Sequence, residues 1–140
     1  MKRRNFLAVC TALTFALPHV TLANEMLEND FVTYNPKVLE QALANGETVF
    51  LDFKASWCTT CAAQARVISA LREEDPAYDK AMTFMLADWD MWKDKPIVSE
   101  MNIPRRSTLV VLRGEEELGR VVAETSKEKI QSLMDLGLKG

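Results

Sequence analysis

Histidine is almost absent from this chain of 140 residues, and cysteine occurs only three times. The single histidine, His19, and one cysteine, Cys10, lie in a segment that we expect to be removed from the chain. The remainder then holds Cys58 and Cys61 and no histidine. A histidine general base, a Cys–His nucleophile pair and a Cys2His2 zinc site are therefore excluded there.

The segment expected to be lost is residues 1–23, which have the pattern of an export signal. Basic residues at positions 2–4 precede a nearly uncharged run over 6–22, and Ala23 ends a small-x-small cleavage motif. The run is short for a membrane span, which argues against a retained anchor. We predict a cleaved signal peptide and one domain over 24–140, located in the periplasm. The paired arginines leave the twin-arginine and general export routes both open.

Positive charge is also scarce in the predicted domain. Three of the chain's 17 basic residues lie in the signal peptide, so 14 remain against 20 acidic residues, a net charge of about −6. Nucleic-acid binding requires a basic surface. The composition therefore predicts that nucleic acid is not a partner.

Capping residues and helical spacing predict three main helices. The first has Asn35 as its cap and Pro36 as its first residue, and ends before Gly46. The second stops before Pro76, because proline breaks a helix interior. The last begins at a capping box over 125–128. Apolar spacing predicts the inner face of the second helix: Cys61, Ala65, Ile68 and Leu71.

Short apolar runs between these helices predict four strands. The runs lie at 48–53, 82–87, 108–112 and 118–122, and a short helix is predicted over 97–101. Early strands that alternate with helices favour parallel crossovers, and the late hairpin adds antiparallel strands. The order predicts a three-layer α/β sandwich with a mixed sheet.

The stretch "FLDFKASWCTTCAAQ" combines a buried strand, a tight turn and two cysteines that open a helix. A disulfide between residues so close in sequence removes little chain entropy, which argues against a purely structural bridge. At a helix N-terminus, free N–H groups and the macrodipole lower the pKa of Cys58 below the ~8.5 of a free thiol. Cys61 lies one turn further on, so Cys58 can attack a disulfide and Cys61 can resolve it.

This W-C-x-x-C motif, with Asp52 six residues before Cys58, resembles the thioredoxin superfamily. The resemblance implies a thioredoxin-like three-layer α/β/α sandwich with a mixed central sheet and a redox-active Cys58–Cys61 disulfide. Asp52 ends an apolar strand, so burial should raise its pKa, and the resemblance implies that it accepts the proton of Cys61. A carboxylate that faces the surface is the alternative interpretation. By the same resemblance Trp57 flanks the substrate groove, although an aromatic at the edge of the core would leave the same pattern.

The chain departs from the family at the loop before the third strand, where thioredoxins carry a cis-proline. Ser107 occupies that position here, and Pro104 is the alternative if the loop is longer. We expect Ser107 to have a trans peptide bond and its hydroxyl to hydrogen-bond the Cys58 thiolate. Arg105 and Arg106 are predicted to add positive charge near the site, and Arg106 and Ser107 to take part in substrate binding; a solvated loop is the alternative interpretation.

The residues between the cysteines, Thr59 and Thr60, lack the histidine that strong oxidants of the superfamily carry there. The pair is therefore predicted to reduce protein disulfides. The protein is expected to be a monomer without a bound cofactor or metal. A mild oxidase or isomerase is the second interpretation. A copper chaperone is the third, because thiolates suit Cu(I).

A second resemblance lies in "MLADWDMW". It is similar to a strand end of the periplasmic C-terminal domain of the Dsb-type transmembrane reductases. The resemblance implies a membrane-bound thiol as electron donor. Simple packing is the alternative interpretation of Trp89 and Trp92 in this stretch.

Overall fold

The computed structural model describes residues 31–140, so the predicted signal peptide lies outside the described residues. Within this range no helix is long and apolar enough to cross a membrane. The described residues form five strands: β1 (Val32–Thr33), β2 (Thr48–Lys54), β3 (Met82–Asp88), β4 (Thr108–Arg113) and β5 (Glu116–Val122). They also form six helices: α1 (Pro36–Ala44), α2 (Thr59–Glu74), α3 (Ala77–Ala81), α4 (Trp89–Trp92), α5 (Pro96–Glu100) and α6 (Lys127–Leu138).

The strands form one mixed sheet in the order β1-β3-β2-β4-β5. The central strand β2 runs parallel to β3 and antiparallel to β4, and β5 pairs with β4 as a hairpin. The residues of β2 are buried from Thr48 to Phe53, as a strand covered on both faces requires. The predicted α/β/α sandwich with a mixed sheet is confirmed.

Alternate residues of β2 face two separate cores. Leu51 and Phe53 pack on one face with residues of α1 and α5. Phe50 packs on the other face with residues of α2, α3 and α6. This alternation places the side chain of Asp52, two residues from Phe50, on the face that α2 covers.

The helix starts follow capping chemistry. The side chain of Asn35 accepts a hydrogen bond from the N–H of Lys37, and Pro36 is the first residue of α1, as predicted. For α6 the predicted boundary is wrong by one residue. Ser126 rather than Thr125 is the cap, and its hydroxyl accepts from the N–H of Lys129.

The short elements β1, α3 and α4 were not predicted, because segments of two to five residues carry too little periodicity. The last of them places its aromatic side chains inward. The ring of Trp92 meets that of Tyr34 edge-on, with centroids 4.7 Å apart. Trp92 is therefore a packing residue, as the second of the two interpretations had it.

Candidate active site

The cysteine pair lies at the N-terminus of α2, shortly after the end of β2. Cys58 is the N-cap of α2, and its Sγ accepts a hydrogen bond of 3.1 Å from the N–H of Cys61. The two sulfurs are joined in a disulfide, with the Cα atoms 5.2 Å apart. A thiolate at Cys58 would receive the same hydrogen bond at the positive end of a 16-residue helix.

Only one of the two cysteines reaches the surface. Cys58 is 4% exposed and Cys61 is completely buried. With Ala55 they form a small buried cluster, against which Trp89 packs. Attack on another molecule is therefore open to Cys58 alone, and Cys61 can react only with its neighbour.

Ser107 faces both sulfurs. Its Oγ lies 3.2 Å from Sγ of Cys58 and 3.1 Å from Sγ of Cys61. Sulfurs in a disulfide carry no hydrogen, so the hydroxyl is the donor. The side chain is completely buried, whereas Pro104 is exposed. Of the two candidates for the cis-proline position, the structure brings Ser107 to the pair.

The backbone of Ser107 has a conformation that is rare for residues other than glycine. Its φ is +62°, in the left-handed region, and the preceding peptide bond is trans, as predicted. This conformation costs a residue with a Cβ about 1–2 kcal/mol. The N–H of Ser107 donates a 2.8 Å bond to the carbonyl of Phe53, which ties the loop to the end of β2.

Asp52 is buried on the face of the sheet that α2 covers, with 1% of its surface exposed. Its Oδ1 has no hydrogen-bond partner among the described residues. Burial raises the pKa of Asp52 to about 7, and the nearby charge of Lys54 opposes the rise only in part. The expected upward shift is present. The assignment of Asp52 as proton acceptor for Cys61 stays a prediction.

Trp57, Asp90 and Arg106 form a rim on the solvent side of the pair. The indole N–H of Trp57 donates a 2.8 Å hydrogen bond to Asp90. The guanidinium carbon of Arg106 lies 4.5 Å from the centroid of the same ring, a cation–π distance. More than half of the Trp57 surface, 56%, remains exposed. The ring is therefore held in place at the surface and not in the core.

Sequence reasoning missed Gln64, one turn after Cys61 on α2. It is completely buried, and its side-chain amide donates to the carbonyls of Ser107 (3.1 Å) and Glu124 (2.9 Å). The predicted inner face of α2 gave that place to Ala65, which is only half-buried. A polar residue at i+3 from an inward cysteine was the available signal.

The family model described as Thioredoxin matches residues 30–136 of the chain. The chain belongs to the thioredoxin family. Cys58 and Cys61 are the cysteines of its dithiol motif, and they have the arrangement of a thiol–disulfide oxidoreductase.

Known members share part of the sequence. "Thiol:disulfide interchange protein TxlA" of Synechococcus elongatus is 30% identical over 97 residues, 69% of this chain and 49% of that protein. The chain therefore matches about half the length of TxlA. Thioredoxin H-type of Fagopyrum esculentum is 26% identical over 94 residues, which cover 67% of this chain and 76% of that protein. The crystal structure of Trxlp from Edwardsiella tarda gives a TM-score of 0.63 at 28% identity, covering 73% and 97% of the two chains.

The site of this thioredoxin-family protein offers few metal ligands. Within residues 31–140 no group of three or more His, Cys, Asp or Glu side chains is placed to hold a metal ion. Any ion bound at Cys58 and Cys61 would have to complete its coordination with other donors.

Proposed function

We propose that this protein is an exported thiol–disulfide oxidoreductase that reduces disulfides in other proteins. The observation that supports it most is the placement of Cys58 as N-cap of α2, where it keeps a small exposed surface (4%) while Cys61 is completely buried. This gives one sulfur to attack a substrate and a second to release it.

In the proposed reaction the Cys58 thiolate attacks one sulfur of a substrate disulfide. A mixed disulfide forms, and the other substrate sulfur leaves as a thiolate that takes up a proton. Cys61 then loses its proton and attacks Sγ of Cys58, which expels the first substrate sulfur. The protein dithiol becomes the disulfide, the substrate disulfide becomes a dithiol, and two electrons and two protons pass to the substrate.

The proton of Cys61 needs an acceptor inside the protein, because Cys61 is completely buried. We assign this to Asp52, whose pKa of about 7 suits a group that takes up a proton near neutral pH. The helix covering that face of the sheet is α2, which also carries Cys61.

The reducing direction rests on what stabilises the Cys58 thiolate. A stabilised thiolate favours the dithiol and makes its disulfide a stronger oxidant. Thr59 and Thr60 bring no charge to it, and residues 24–140 contain no histidine. The Ser107 hydroxyl favours the thiolate, but a neutral donor is weaker than a charged one. We expect a reduction potential below about −200 mV, measured by equilibration with glutathione.

The location and the partners belong to the same proposal. The basic, apolar and small-residue pattern of residues 1–23 supports export, and the resemblance to the periplasmic domain of Dsb-type reductases supports a membrane-bound thiol donor. The name of TxlA, a thiol:disulfide interchange protein, supports protein disulfides as substrates.

Trapping tests the assigned functions of the two cysteines. A Cys61→Ala variant expressed with its signal segment is expected to accumulate mixed disulfides through Cys58, since the resolving sulfur is missing. Non-reducing gels and mass spectrometry would identify the captured proteins. The matched Cys58→Ala variant should capture none, because Cys61 is buried. Equal capture by both variants would contradict the proposal.

A further inference from the structure

Gln64 joins the cysteine helix to two other parts of the fold. Its side-chain nitrogen is 3.1 Å from the carbonyl oxygen of Ser107 and 2.9 Å from that of Glu124. Both partners are acceptors, so only the NH2 group of the amide can face them. Ser107 precedes β4 and Glu124 follows β5, so one side chain closes the open end of this hairpin onto α2.

The joint that Gln64 closes is made of strained backbone. Ser107 has a φ of +62° and Ala123 a φ of +57°, and the N–H of Ala123 donates a 2.9 Å bond to the Ser107 carbonyl. Left-handed residues with a Cβ persist only where surrounding contacts hold them. The Ser107 carbonyl thus accepts two hydrogen bonds, one from Ala123 and one from Gln64.

We propose that Gln64 is a positioning residue of the dithiol site, which holds Ser107 so that its hydroxyl lies within hydrogen-bond distance of both sulfurs. The proposal rests on the function proposed above. Gln64 acts through the backbone of Ser107, and the Ser107 hydroxyl in turn donates to the Cys58 thiolate of the reduced protein. This hydrogen bond makes the thiol more acidic and the disulfide more oxidising.

The position of Gln64 on α2 gives the arrangement its accuracy. Cys61 and Gln64 are one helical turn apart, so the inner sulfur and the amide that holds Ser107 move as one rigid unit. The distances from Ser107 Oγ to the two sulfurs, 3.2 and 3.1 Å, are then fixed by the helix that carries the sulfurs.

The other end of the amide shows that packing alone does not account for a glutamine here. Gln64 Oε1 is buried without a hydrogen-bond partner among the described residues. A buried acceptor without a donor destabilises the folded state. Such departures from good packing are expected where a site requires a particular group, and here the required group is the NH2.

A double-mutant cycle tests the proposal in the full mature chain. Gln64→Met keeps the size of the side chain and removes both donors. In the reduced protein we expect the acidity constant of Cys58, read from ultraviolet thiolate absorbance against pH, to fall about threefold. The equilibrium with glutathione should shift toward the protein disulfide. In a Ser107→Ala background the same substitution should have no further effect.

The matched control is Gln41→Met, the same change at an exposed position of α1, which should alter neither quantity. The proposal is wrong if Gln64→Met lowers thermal stability without changing the thiol acidity, or if its effect is equally large with and without Ser107. Should Gln64→Met fail to fold, Gln64→Asn serves instead, because it keeps the amide one methylene short. It is also expected to weaken the acidity of the reduced Cys58 thiol. An unchanged Cys58 acidity in this variant would contradict the proposal.

These measurements are made without a protein substrate. Absent disulfide reduction by the wild-type protein would therefore overturn the proposed function while the shift in thiol acidity still supported the positioning by Gln64.

Discussion

The two sides of the cysteine pair differ in their access to water. On the inner side Asp52, Cys61, Gln64 and Ser107 are each at most 1% exposed. On the outer side lies the rim, where Trp57 is 56% exposed and hydrogen-bonds the exposed Asp90.

Burial decides what each side can do. In a buried site of low dielectric, one hydrogen bond or one charge shifts a protonation equilibrium strongly, whereas water screens the same interaction at a surface. The inner residues are therefore suited to set the acidity and redox balance of the pair. The rim is suited to contact other proteins through an aromatic ring and a guanidinium group.

The largest expected effect comes from Asp52 on the inner side. Its pKa is about 7 in the folded protein, against the usual 3.8, so the folded state binds more protons between these values. Wild-type stability should fall as the pH rises from about 4 to about 7 and then level off. Asp52→Asn should be more stable than wild type at pH 8, by up to about 4 kcal/mol, and similar to it near pH 4. Urea unfolding at several pH values measures this.

The matched control for this prediction is Asp94→Asn, because the Asp94 side chain is 86% exposed. It should leave the pH dependence of the unfolding free energy unchanged. A pH-independent difference between Asp52→Asn and wild type would contradict the raised pKa of Asp52.

The second effect separates the hydroxyl of Ser107 from its backbone. Ser107→Ala and Ser107→Gly both remove the donor, so both should weaken the acidity of the reduced Cys58 about tenfold. Glycine tolerates the φ of +62° and alanine does not. The free energy of unfolding of the glycine variant should therefore be about 1–2 kcal/mol higher than that of the alanine variant. A thiol acidity equal to wild type in both variants would show that the hydroxyl is not the active group.

The smallest effect on the pair is expected at the rim. Trp57→Ala should leave the thiol acidity unchanged and alter the unfolding free energy by about 0.5 kcal/mol, as a surface substitution does. The KM for a protein disulfide should rise about fivefold, since the exposed ring is lost. In Trp57→Phe, which keeps a ring beside Arg106, the KM should rise less. If Trp57→Ala changes the thiol acidity as much as Ser107→Ala, the division between inner side and rim fails.

Prediction from sequence succeeded where local chemistry decides the structure. Cys58 opens α2, Pro76 follows the end of α2, and Asn35 and Pro36 open α1, because caps and breakers act within a few residues. It was weaker at α6, where Thr125 and Ser126 are both good caps and local chemistry does not choose between them.

On the inner side of the site, most contacts join residues that are distant in sequence, and prediction from sequence was incomplete there. The expectation of a Ser107 hydrogen bond to Cys58 came from a resemblance and agrees with the 3.2 Å contact. Contact of the same hydroxyl with Cys61 was not predicted, and neither was the left-handed backbone. Gln64 was overlooked because its partners are backbone carbonyls 43 and 60 residues away.

The amino-acid sequence by itself determined the strand, the turn and the helix start that place Cys58, and it determined that no histidine of residues 24–140 accompanies the pair. Only the tertiary structure decided which polar groups meet the sulfurs. Loop 105–107, the end of β5 and the second turn of α2 converge there because two hydrophobic cores and the sheet register bring them together, and nothing local encodes that meeting.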